Sequence, residues 1–330
     1  MSPIPGVPEV VLVAPDSFKG TFAAAQVAGA IGAGLLAGGR PADLCPVADG
    51  GEGTLAALAP ALGAEPLSAV VHDPLGRPLR ASFALADELA IVETAAASGL
   101  HVVRGRRRDA MAASTAGTGE LIAAAISAGA RTVYLGVGGS ATTDGGAGAI
   151  RAIERAGGLR GARLVVLCDV RTPFEQAARV FGPQKGASHE QVRRLTARLH
   201  ALARRLPVDP RGVAMTGAAG GLSGGLWAAL GAELVAGAPF VLDALGFDAR
   251  MRAARAVVTG EGRLDEQSLV GKVVSEVATR ARQSGVPCHA VVGTRRLDAM
   301  GARVLDLDRV LEATTLDELA RAGRSLAAVL

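Results

Sequence analysis

Only three of the 35 lysine and arginine residues in this chain are lysine, and each lies beside a glycine: Lys19, Lys185 and Lys272. The lysine ammonium is a compact point charge, whereas the arginine guanidinium is a planar fork, so the two groups bind anions differently. A point charge beside flexible glycine backbone is the local chemistry of a phosphate-binding loop. We therefore expect all three lysines to contact phosphate, although a solvated surface role for Lys272 stays open.

Acidic side chains accompany glycines in three segments that are expected to be loops after strands: 16–20, 49–54 and 260–265. Ligands of an open parallel sheet bind outside the carboxyl ends of the strands, where loops and helix N-termini converge. Carboxylates beside glycines at such an edge suit a magnesium and phosphate site better than a hydride-transfer site. The pattern predicts phosphoryl transfer, which needs metal ligands, cations on the phosphates and an oriented acceptor hydroxyl.

The candidate site residues fall into three groups by the role that their chemistry suits. The predicted catalytic residues are Lys19, Lys185 and, as the base, Asp169. The predicted metal ligands are Asp49, Glu52, Glu261 and Asp265. The predicted substrate or nucleotide ligands are Asp16, Ser17, Gly50, Gly51, Gly138, Gly139, Ser140, Asp144 and Lys272. Spacing alone leaves simpler roles open, since an Asp after a strand can cap a helix and a glycine can serve only a turn.

Two different patterns of apolar residues predict the strands and helices on either side of these loops. A strand, loop and helix order near the N-terminus returns after about residue 247, which predicts one parallel sheet built from both chain ends. Its predicted elements are strands 10–14, 44–47, 256–259 and 289–293 and a helix over 272–284. Between them, the predicted elements are antiparallel strands 69–72, 79–85 and 89–92, strands 132–136 and 163–167, and helices 118–127 and 189–205.

The predicted fold is therefore α/β with two domains. Residues 1–64 and 247–330 form the parallel-sheet domain, and residues 65–246 form an inserted α/β domain that contains antiparallel strands. A chain of 330 residues exceeds the size at which one hydrophobic core usually divides, which agrees with two domains.

Composition argues against several classes of partner. The net charge is only +4, aromatic residues make up 3%, and the one basic cluster, 104–108, is expected to be a solvated loop, so we expect no nucleic-acid partner. Two long uncharged stretches, 20–39 and 212–232, are rich in Ala and Gly, which predicts buried segments rather than membrane spans.

The cysteines and the N-terminus predict a cytoplasmic protein. Three widely spaced cysteines without a C-x-x-C pair fit neither a disulfide framework nor a zinc site. The first eight residues hold three prolines and no basic segment, so they do not resemble a secretory signal.

One motif points to a different chemistry. Residues 136–141 match the G-x-G-x-x-A form of the dinucleotide fingerprint, between a predicted strand and a predicted helix. Among 44 glycines a chance match is expected, and no acidic residue follows at the usual distance. A nicotinamide oxidoreductase therefore remains the weaker alternative. The Gly271-Lys272 pair does not complete a Walker A motif.

Seven motifs, taken together, carry a specific resemblance. They are Ala-Pro-Asp-Ser-Phe-Lys-Gly (14–20), Val-Ala-Asp-Gly-Gly-Glu-Gly-Thr (47–54), Gly-Thr-Gly-Glu-Leu-Ile (117–122), Gly-Gly-Ser-Ala-Thr-Thr-Asp-Gly-Gly-Ala-Gly (138–148), Phe-Gly-Pro-Gln-Lys-Gly-Ala (181–187), Gly-Ala-Ala-Gly-Gly-Leu (217–222) and Thr-Gly-Glu-Gly-Arg-Leu-Asp (259–265). In this order they resemble the bacterial type I glycerate kinase (glycerate 2-kinase) family.

The resemblance implies ATP-dependent phosphorylation of D-glycerate to 2-phosphoglycerate, with Mg²⁺ as the metal. It also implies a flavodoxin-like domain formed by both chain ends, an inserted α/β domain and an active site in the cleft between them. A homodimer is compatible with the sequence.

The chain also departs from the family pattern. Thr143 stands where the family usually has Asn, the stretch 151–163 is shorter, and 169–173 lacks the usual Asn before Pro173. Val270 replaces a customary His. These changes leave a second hypothesis open, namely a nucleotide-binding relative with weak catalysis and altered acceptor specificity.

Overall fold

A computed structural model describes residues 9–103, 108–269 and 272–330 of the chain. The expectations about the first eight residues, about 104–107 and about Val270 and Gly271 lie outside the described residues. The chain forms two compact units: unit 1 comprises Met1–Asp49 and Ala238–Leu330, and unit 2 comprises Gly50–Gly237. Helices and strands are numbered along the whole chain.

Unit 1 is built on a parallel sheet with helices beside it. Its strands are β1 (Val11–Pro15), β2 (Ala42–Leu44), β9 (Ala256–Leu264), β10 (Cys288–Arg295) and β11 (Arg309–Glu312). Its helices are α1 (Ala24–Ala37), α9 (Gly237–Ala244), α10 (Phe247–Arg252), α11 (Val273–Gln283), α12 (Ala299–Val304) and α13 (Leu316–Ala327), with a 3₁₀ turn at Glu266–Leu269.

The strand order of this sheet is β2-β1-β9-β10-β11, and every described pair is parallel. Numbered by their order in the unit, the strands read 2-1-3-4-5, which is the flavodoxin-like order with its switch point between the first and third strands. The predicted flavodoxin-like sheet built from both chain ends is therefore confirmed. Its switch point lies between β1 and β9.

The apolar run of β1 is continuous because both faces of a parallel sheet are covered. Residues Val11 to Ala14 are fully buried, and Val27, Ile31 and Leu35 of α1 pack in one core cluster with Val11 and Val13. Helix α1 occupies much of the uncharged stretch 20–39, so the prediction of a buried helix there is correct. No helix in the described parts of the chain is long and apolar enough to cross a membrane.

Unit 2 contains a mixed sheet and the remaining helices. Its strands are β3 (Glu65–His72), β4 (Pro78–Ala86), β5 (Leu89–Glu93), β6 (Thr132–Gly136), β7 (Arg163–Leu167) and β8 (Glu233–Val235). Its helices are α2 (Thr54–Leu62), α3 (Thr94–Ser98), α4 (Ala116–Ser127), α5 (Ala147–Arg155), α6 (Ala177–Phe181), α7 (His189–Ala203) and α8 (Ala218–Leu230), with 3₁₀ turns at Phe174–Gln176 and Pro183–Lys185.

The order of the second sheet is β3-β4-β5-β6-β7-β8. The β3/β4 and β4/β5 pairs are antiparallel, and the pairs from β5 to β8 are parallel. The prediction of an α/β unit that contains antiparallel strands is therefore confirmed. Strands 132–136 and 163–167 have the predicted bounds.

The unit boundaries differ from those that the sequence predicts. The units divide at 49/50 and 237/238, whereas the sequence predicts boundaries at 64/65 and 246/247. Helix α2 accounts for the first difference, because the Glu93 carboxylate at the end of β5 accepts hydrogen bonds from the N–H groups of Gly53 and Leu55. These bonds tie the start of α2 to the middle sheet.

Two local expectations are wrong. Strand β2 ends at Leu44 and does not extend to residue 47, and the expected loop 260–265 is largely strand, because β9 continues to Leu264. Gly260 pairs with Val291 of β10, and a Cβ added at Gly260 would lie 2.2 Å from the Val291 carbonyl oxygen. The glycine therefore permits close strand pairing rather than a loop.

Candidate active site

A cavity of about 320 Å³ opens in unit 1 at the carboxyl ends of β1 and β9. This is the switch point of the sheet, where open α/β folds bind ligands. Its walls carry ammonium, guanidinium, carboxylate and hydroxyl groups from several separate segments of the chain. The lining residues are Asp16, Ser17, Phe18, Lys19, Thr21, Glu261, Gly262, Arg263, Lys272, Gly293, Thr294 and Thr314.

Asp16 follows β1 and is 6% exposed. Its Oδ1 accepts a 2.6 Å hydrogen bond from the Ser17 N–H. Burial and the nearby Asp49 carboxylate raise the pKa of Asp16 to about 7, although the Lys19 ammonium opposes this shift. The capping alternative for Asp16 does not hold, because the residue before α1 is Ala23.

Lys19 and Asp49 form an ion pair with 2.6 Å between Nζ and Oδ2. The Lys19 side chain is 60% exposed and that of Asp49 is 15% exposed, so the pair joins an accessible cation to a sheltered carboxylate. Burial lowers the pKa of Lys19, but Asp49 and Asp16 outweigh burial, and the net pKa lies above the ordinary value. Lys19 is therefore a fixed ammonium at the cavity wall.

Glu261 and Lys272 form a second pair, with 3.4 Å between Oε2 and Nζ. Glu261 lies in β9 and is 7% exposed; burial raises its pKa, which Ser268 and Lys272 oppose. Its Oε1 is buried and has no hydrogen-bond partner in the described parts of the chain. Lys272 precedes α11, where its N–H donates to the Ser275 hydroxyl.

The four predicted metal ligands differ in their exposure and in their ion pairs. Asp49 pairs with Lys19, and Asp265 pairs with Arg263 at 3.1 Å. Glu52 is exposed and belongs to unit 2. Among the described residues, no group of three or more His, Cys, Asp or Glu side chains is arranged to hold a metal ion.

This arrangement still fits magnesium. Mg²⁺ is usually bound through one or two carboxylates together with substrate phosphates and water. The unpartnered Oε1 of Glu261 is a buried anionic oxygen that lacks a donor, and a buried polar atom without a partner is costly. Glu261 is therefore the predicted metal ligand that the geometry supports best.

The predicted phosphate glycines of unit 2 lie together and pack closely. A Cβ added at Gly138 would lie 2.6 Å from Gly51 Cα, and one added at Gly139 would lie 3.2 Å from Glu52 Oε2. Gly50 adopts a φ of +83°, a conformation that favours glycine. The structure thus brings Gly50, Gly51 and Glu52 beside the loop that follows β6.

Lys185 is 3% exposed and donates from Nζ to the Ser140 hydroxyl at 2.8 Å and to the Thr142 carbonyl oxygen at 2.6 Å. Both acceptors are neutral. Burial lowers the pKa of Lys185 to about 7, and the charge of Asp144 opposes this shift only in part. A buried ammonium without a direct carboxylate partner can respond strongly to an anion that binds beside it.

Asp144 lies at the start of α5 and is surrounded by donors. Its Oδ2 accepts from the N–H and hydroxyl of Thr115 and from the N–H of Gly148, and its Oδ1 accepts from the N–H of Gly146. These bonds join the starts of α4 and α5. Asp144 therefore shapes the loop after β6, and its predicted role as a ligand stays a prediction.

Asp169 lies two residues beyond the carboxyl end of β7 and is half-buried. Its Oδ1 accepts a 2.6 Å hydrogen bond from the Gly237 N–H. This bond fixes the orientation of the carboxylate within unit 2. Its predicted role as the base stays a prediction.

Comparisons against known proteins identify the family of this chain. The model of the glycerate kinase family matches residues 11–156 and 155–325. The chain belongs to the glycerate kinase family.

Relatives and a solved structure support this membership over nearly the whole chain. The chain is 36% identical to a glycerate kinase of Halalkalibacterium halodurans, over 96% of this chain and 94% of that protein. It is 35% identical to the glycerate 2-kinase of Escherichia coli K12, over 97% of each. The crystal structure of a putative glycerate kinase 2 from Salmonella typhimurium LT2 superposes with a TM-score of 0.80, at 34% identity and 98% coverage of each chain.

In this member of the glycerate kinase family, the apparent dinucleotide fingerprint has a packing role. The next helix, α5, begins only at Ala147, six residues beyond the motif at 136–141. A Cβ added at Gly136 would lie 3.0 Å from the Gly50 carbonyl oxygen, and Gly138 packs on Gly51. These glycines therefore admit neighbouring backbone, which removes the main support for an oxidoreductase.

Sequence reasoning missed the hydroxyls of the glycerate kinase cavity. Thr294 lies in β10 and Thr314 follows β11, and both line the cavity together with Thr21. The rule that ligands bind at the carboxyl ends of parallel strands could have located Thr314, once β11 was recognised as part of the sheet.

Proposed function

We propose that this protein transfers the γ-phosphoryl group of ATP to D-glycerate and forms 2-phosphoglycerate, with Mg²⁺ as its metal. The observation that carries the proposal is the convergence of Asp16, Lys19, Glu261 and Lys272 on one cavity at the switch point of a flavodoxin-like sheet. The names of the family and of its relatives support glycerate as the acceptor.

The cations of unit 1 suit a polyphosphate. Lys19 and Lys272 are each held by a carboxylate, at 2.6 Å from Asp49 and 3.4 Å from Glu261. Fixed ammonium groups stabilise the charge that spreads over phosphoryl oxygens in the transition state without having to reorganise. Lys272 also precedes α11, whose N-terminus adds positive potential at the same wall.

Glu261 is the proposed metal ligand, since its Oε1 has no partner in the described residues. When bound at Glu261, magnesium would supply a positive charge that offsets the negative charge of the phosphates. In our proposal Asp49 holds Lys19, and Asp265 holds Arg263, through the ion pairs already described.

Unit 2 supplies the proposed acceptor chemistry. Asp169, oriented by the Gly237 N–H, is the proposed base that accepts the proton of the glycerate hydroxyl. Lys185, held by Ser140 and Thr142, is the proposed cation for an anionic group of the substrate.

The three cysteines of the chain are buried and free, which supports the proposal of a cytoplasmic protein.

The activity is tested by an assay of ADP release with ATP, Mg²⁺ and D-glycerate, with L-lactate and glycolate as competing hydroxy acids. Turnover with D-glycerate is expected, together with a product whose phosphorus NMR signal is split by the single proton at C2 rather than by the two protons at C3. ATP binding without turnover on any of these acids would support the weakly catalytic relative instead.

The metal assignment is tested by Glu261→Gln, with Glu266→Gln as the control because Glu266 is an exposed carboxylate on the following turn. We expect the Mg²⁺ concentration for half-maximal activity to rise by about tenfold or more, the effect of losing one charge-assisted contact. Mn²⁺ binding in the presence of ATP, followed by electron paramagnetic resonance, should weaken in parallel. Unchanged Mn²⁺ affinity would remove Glu261 from the metal site.

A further inference from the structure

A second cavity, of about 210 Å³, lies in unit 2 and has no part in the proposed catalytic machinery. It opens between the starts of α4 and α5 and the side of α7, and the polar residues on its wall are Ser114, Thr143, Asp144, Arg151 and Arg198. Leu199 and Leu202 of α7 form its apolar wall. We call it the α4/α5/α7 cavity.

The wall of this cavity is fixed in shape. A Cβ added at Gly145 would lie 2.6 Å from Leu202 Cδ2 and 3.0 Å from Leu199 Cδ2, so the loop after β6 rests directly on α7. The hydrogen bonds of Asp144 to Thr115 and Gly148 hold the two helix starts together. The cavity is therefore preformed, which reduces the entropy cost of binding a small ligand.

The balance of charge favours an anion. Arg151 and Arg198 both line the cavity, and no ion pair with a carboxylate is formed by either one among the described residues. Arg198 donates one N–H to the Met111 carbonyl oxygen, which holds its guanidinium in place. The one carboxylate, Asp144, already accepts four hydrogen bonds, and the starts of α4 and α5 add positive potential.

Thr143 provides an independent sign of a missing ligand. It is 2% exposed, it lines the cavity, and its hydroxyl has no hydrogen-bond partner within the described parts of the chain. Buried hydroxyls are nearly always hydrogen-bonded, so this one needs a partner in the cavity.

The size of the cavity limits the ligand. About 210 Å³ exceeds the space of a few waters, yet it is smaller than the roughly 300 Å³ at which pockets for drug-sized ligands begin. This volume suits a phosphate group or a phosphorylated three-carbon acid better than a nucleotide. Arginine forks match the oxygens of such a group.

We propose that the α4/α5/α7 cavity is a binding site for a small phosphoryl anion, either inorganic phosphate or a phosphorylated three-carbon acid, held by Arg151 and Arg198. The proposal does not rest on the proposed kinase activity, because the binding requires neither ATP nor metal. If the kinase reaction occurs, its product belongs to the class of anion that this site would take.

Hydrogen–deuterium exchange of the full-length protein, without nucleotide, provides a local readout. Inorganic phosphate and 2-phosphoglycerate are added in separate arms, with D-glycerate as the arm that lacks a phosphoryl group. We expect amides in 111–118 and 143–151 to become protected by the phosphoryl ligands and not by D-glycerate. Protection by 2-phosphoglycerate alone would identify the organic phosphate as the ligand, and protection by both would identify the phosphoryl group itself.

The double variant Arg151→Gln with Arg198→Gln should weaken this protection so that about tenfold more ligand is needed. The matched control is Arg155→Gln with Arg194→Gln, on the same two helices but outside the cavity, and it should bind as the wild type does. Both double variants should fold, because all four arginines are exposed, and thermal melts check this. Equal protection in both double variants, no protection by either phosphoryl ligand, or protection by D-glycerate alone would overturn the proposal.

Discussion

The Nζ atom of Lys19 lies 2.6 Å from Oδ2 of Asp49, a residue 30 positions further along the chain. The bond fixes a mostly exposed ammonium at the end of β1, where the switch-point cavity opens. Burial raises the pKa of Asp16, and the Asp49 carboxylate raises it further, so Asp49 acts on both Asp16 and Lys19. The first loop after β1 is therefore an electrostatic unit rather than a set of independent ligands.

Lys19→Ala should lower kcat by about 10² or more, the range found when one donor to a developing oxyanion is removed. The fold should survive, because the side chain is 60% exposed. The measurement is steady-state kinetics with a thermal melt, and Arg252→Ala, an exposed cation on α10, serves as the control. A Lys19→Ala protein with wild-type kcat would show that Lys19 is a solvated surface residue with no role in catalysis.

Asp16→Asn should raise stability at neutral pH while it lowers activity. A carboxyl with a pKa of about 7 in the folded state and 3.8 in the unfolded state binds more protons when folded, so its cost to stability grows as the pH rises from 4 to 7. That cost is at most about 4 kcal/mol above pH 7. The variant should therefore gain most at pH 8 and nothing at pH 4.

Thermal unfolding in metal-free buffer from pH 4 to 8 measures this difference between wild type and Asp16→Asn. Glu154→Gln, at an exposed position of α5, is the control, and its difference from wild type should stay flat over the same range. A flat difference for Asp16→Asn as well would mean that Asp16 titrates normally.

Much of unit 1 follows from the sequence because its signals are local. A buried apolar strand that ends in an acid and a glycine predicts both the strand and its ligand edge, as β1 with Asp16 shows. The parallel sheet from both chain ends follows from the repeated strand, loop and helix order. The position of Glu261 does not, because the extension of β9 depends on pairing with β10, which is a tertiary contact.

In unit 2 the sequence identifies candidate site residues, but it does not predict their burial or their contacts. Lys185 is identified by residue type and glycine neighbours, yet its burial depends on how the Pro183–Lys185 turn packs against the loop after β6. Glu93 gives no sequence signal at all. It binds the start of α2 from 40 positions away, so only the folded structure reveals why α2 belongs to this unit.

Lys185→Met should abolish most turnover and stabilise the protein at acidic pH. A lysine with a pKa of about 7 when folded and 10.5 when unfolded binds fewer protons in the folded state, so its cost is full below pH 7 and disappears as the pH rises to about 10. Methionine fills similar volume without charge, and the gain below pH 7 is at most about 5 kcal/mol.

Denaturant unfolding at pH 6 and pH 9.5 tests this sign for Lys185→Met. The stabilisation should be larger at pH 6, where Lys185 of the folded protein is charged, and kcat at that pH should fall by about 10² or more. A variant that is less stable than wild type at pH 6 would show that the hydrogen bonds of Lys185 to Ser140 and Thr142 outweigh the cost of burying its charge.

Gly50→Ala should destabilise the protein more than Gly39→Ala, although both glycines have a φ of +83°. Each substitution places a Cβ in a left-handed conformation, at a cost of about 1–2 kcal/mol. At Gly39 the new Cβ meets no atom within 4 Å, whereas at Gly50 it would lie 2.7 Å from the Gly237 Cα. Relieving that clash moves backbone, which costs about 1–3 kcal/mol more.

The same clash links the loop of Gly50 to the proposed base, because the N–H of Gly237 holds the Asp169 carboxylate at 2.6 Å. Gly50→Ala should therefore also lower kcat, whereas Gly39→Ala should leave it unchanged. Chemical denaturation and steady-state kinetics of Gly50→Ala and Gly39→Ala separate the cost of the left-handed backbone angle from the cost of the clash with Gly237. The φ angle is the same at both positions, so only the clash differs. Equal losses of stability in the two variants would mean that the left-handed angle, and not contact with Gly237, explains the glycine at position 50.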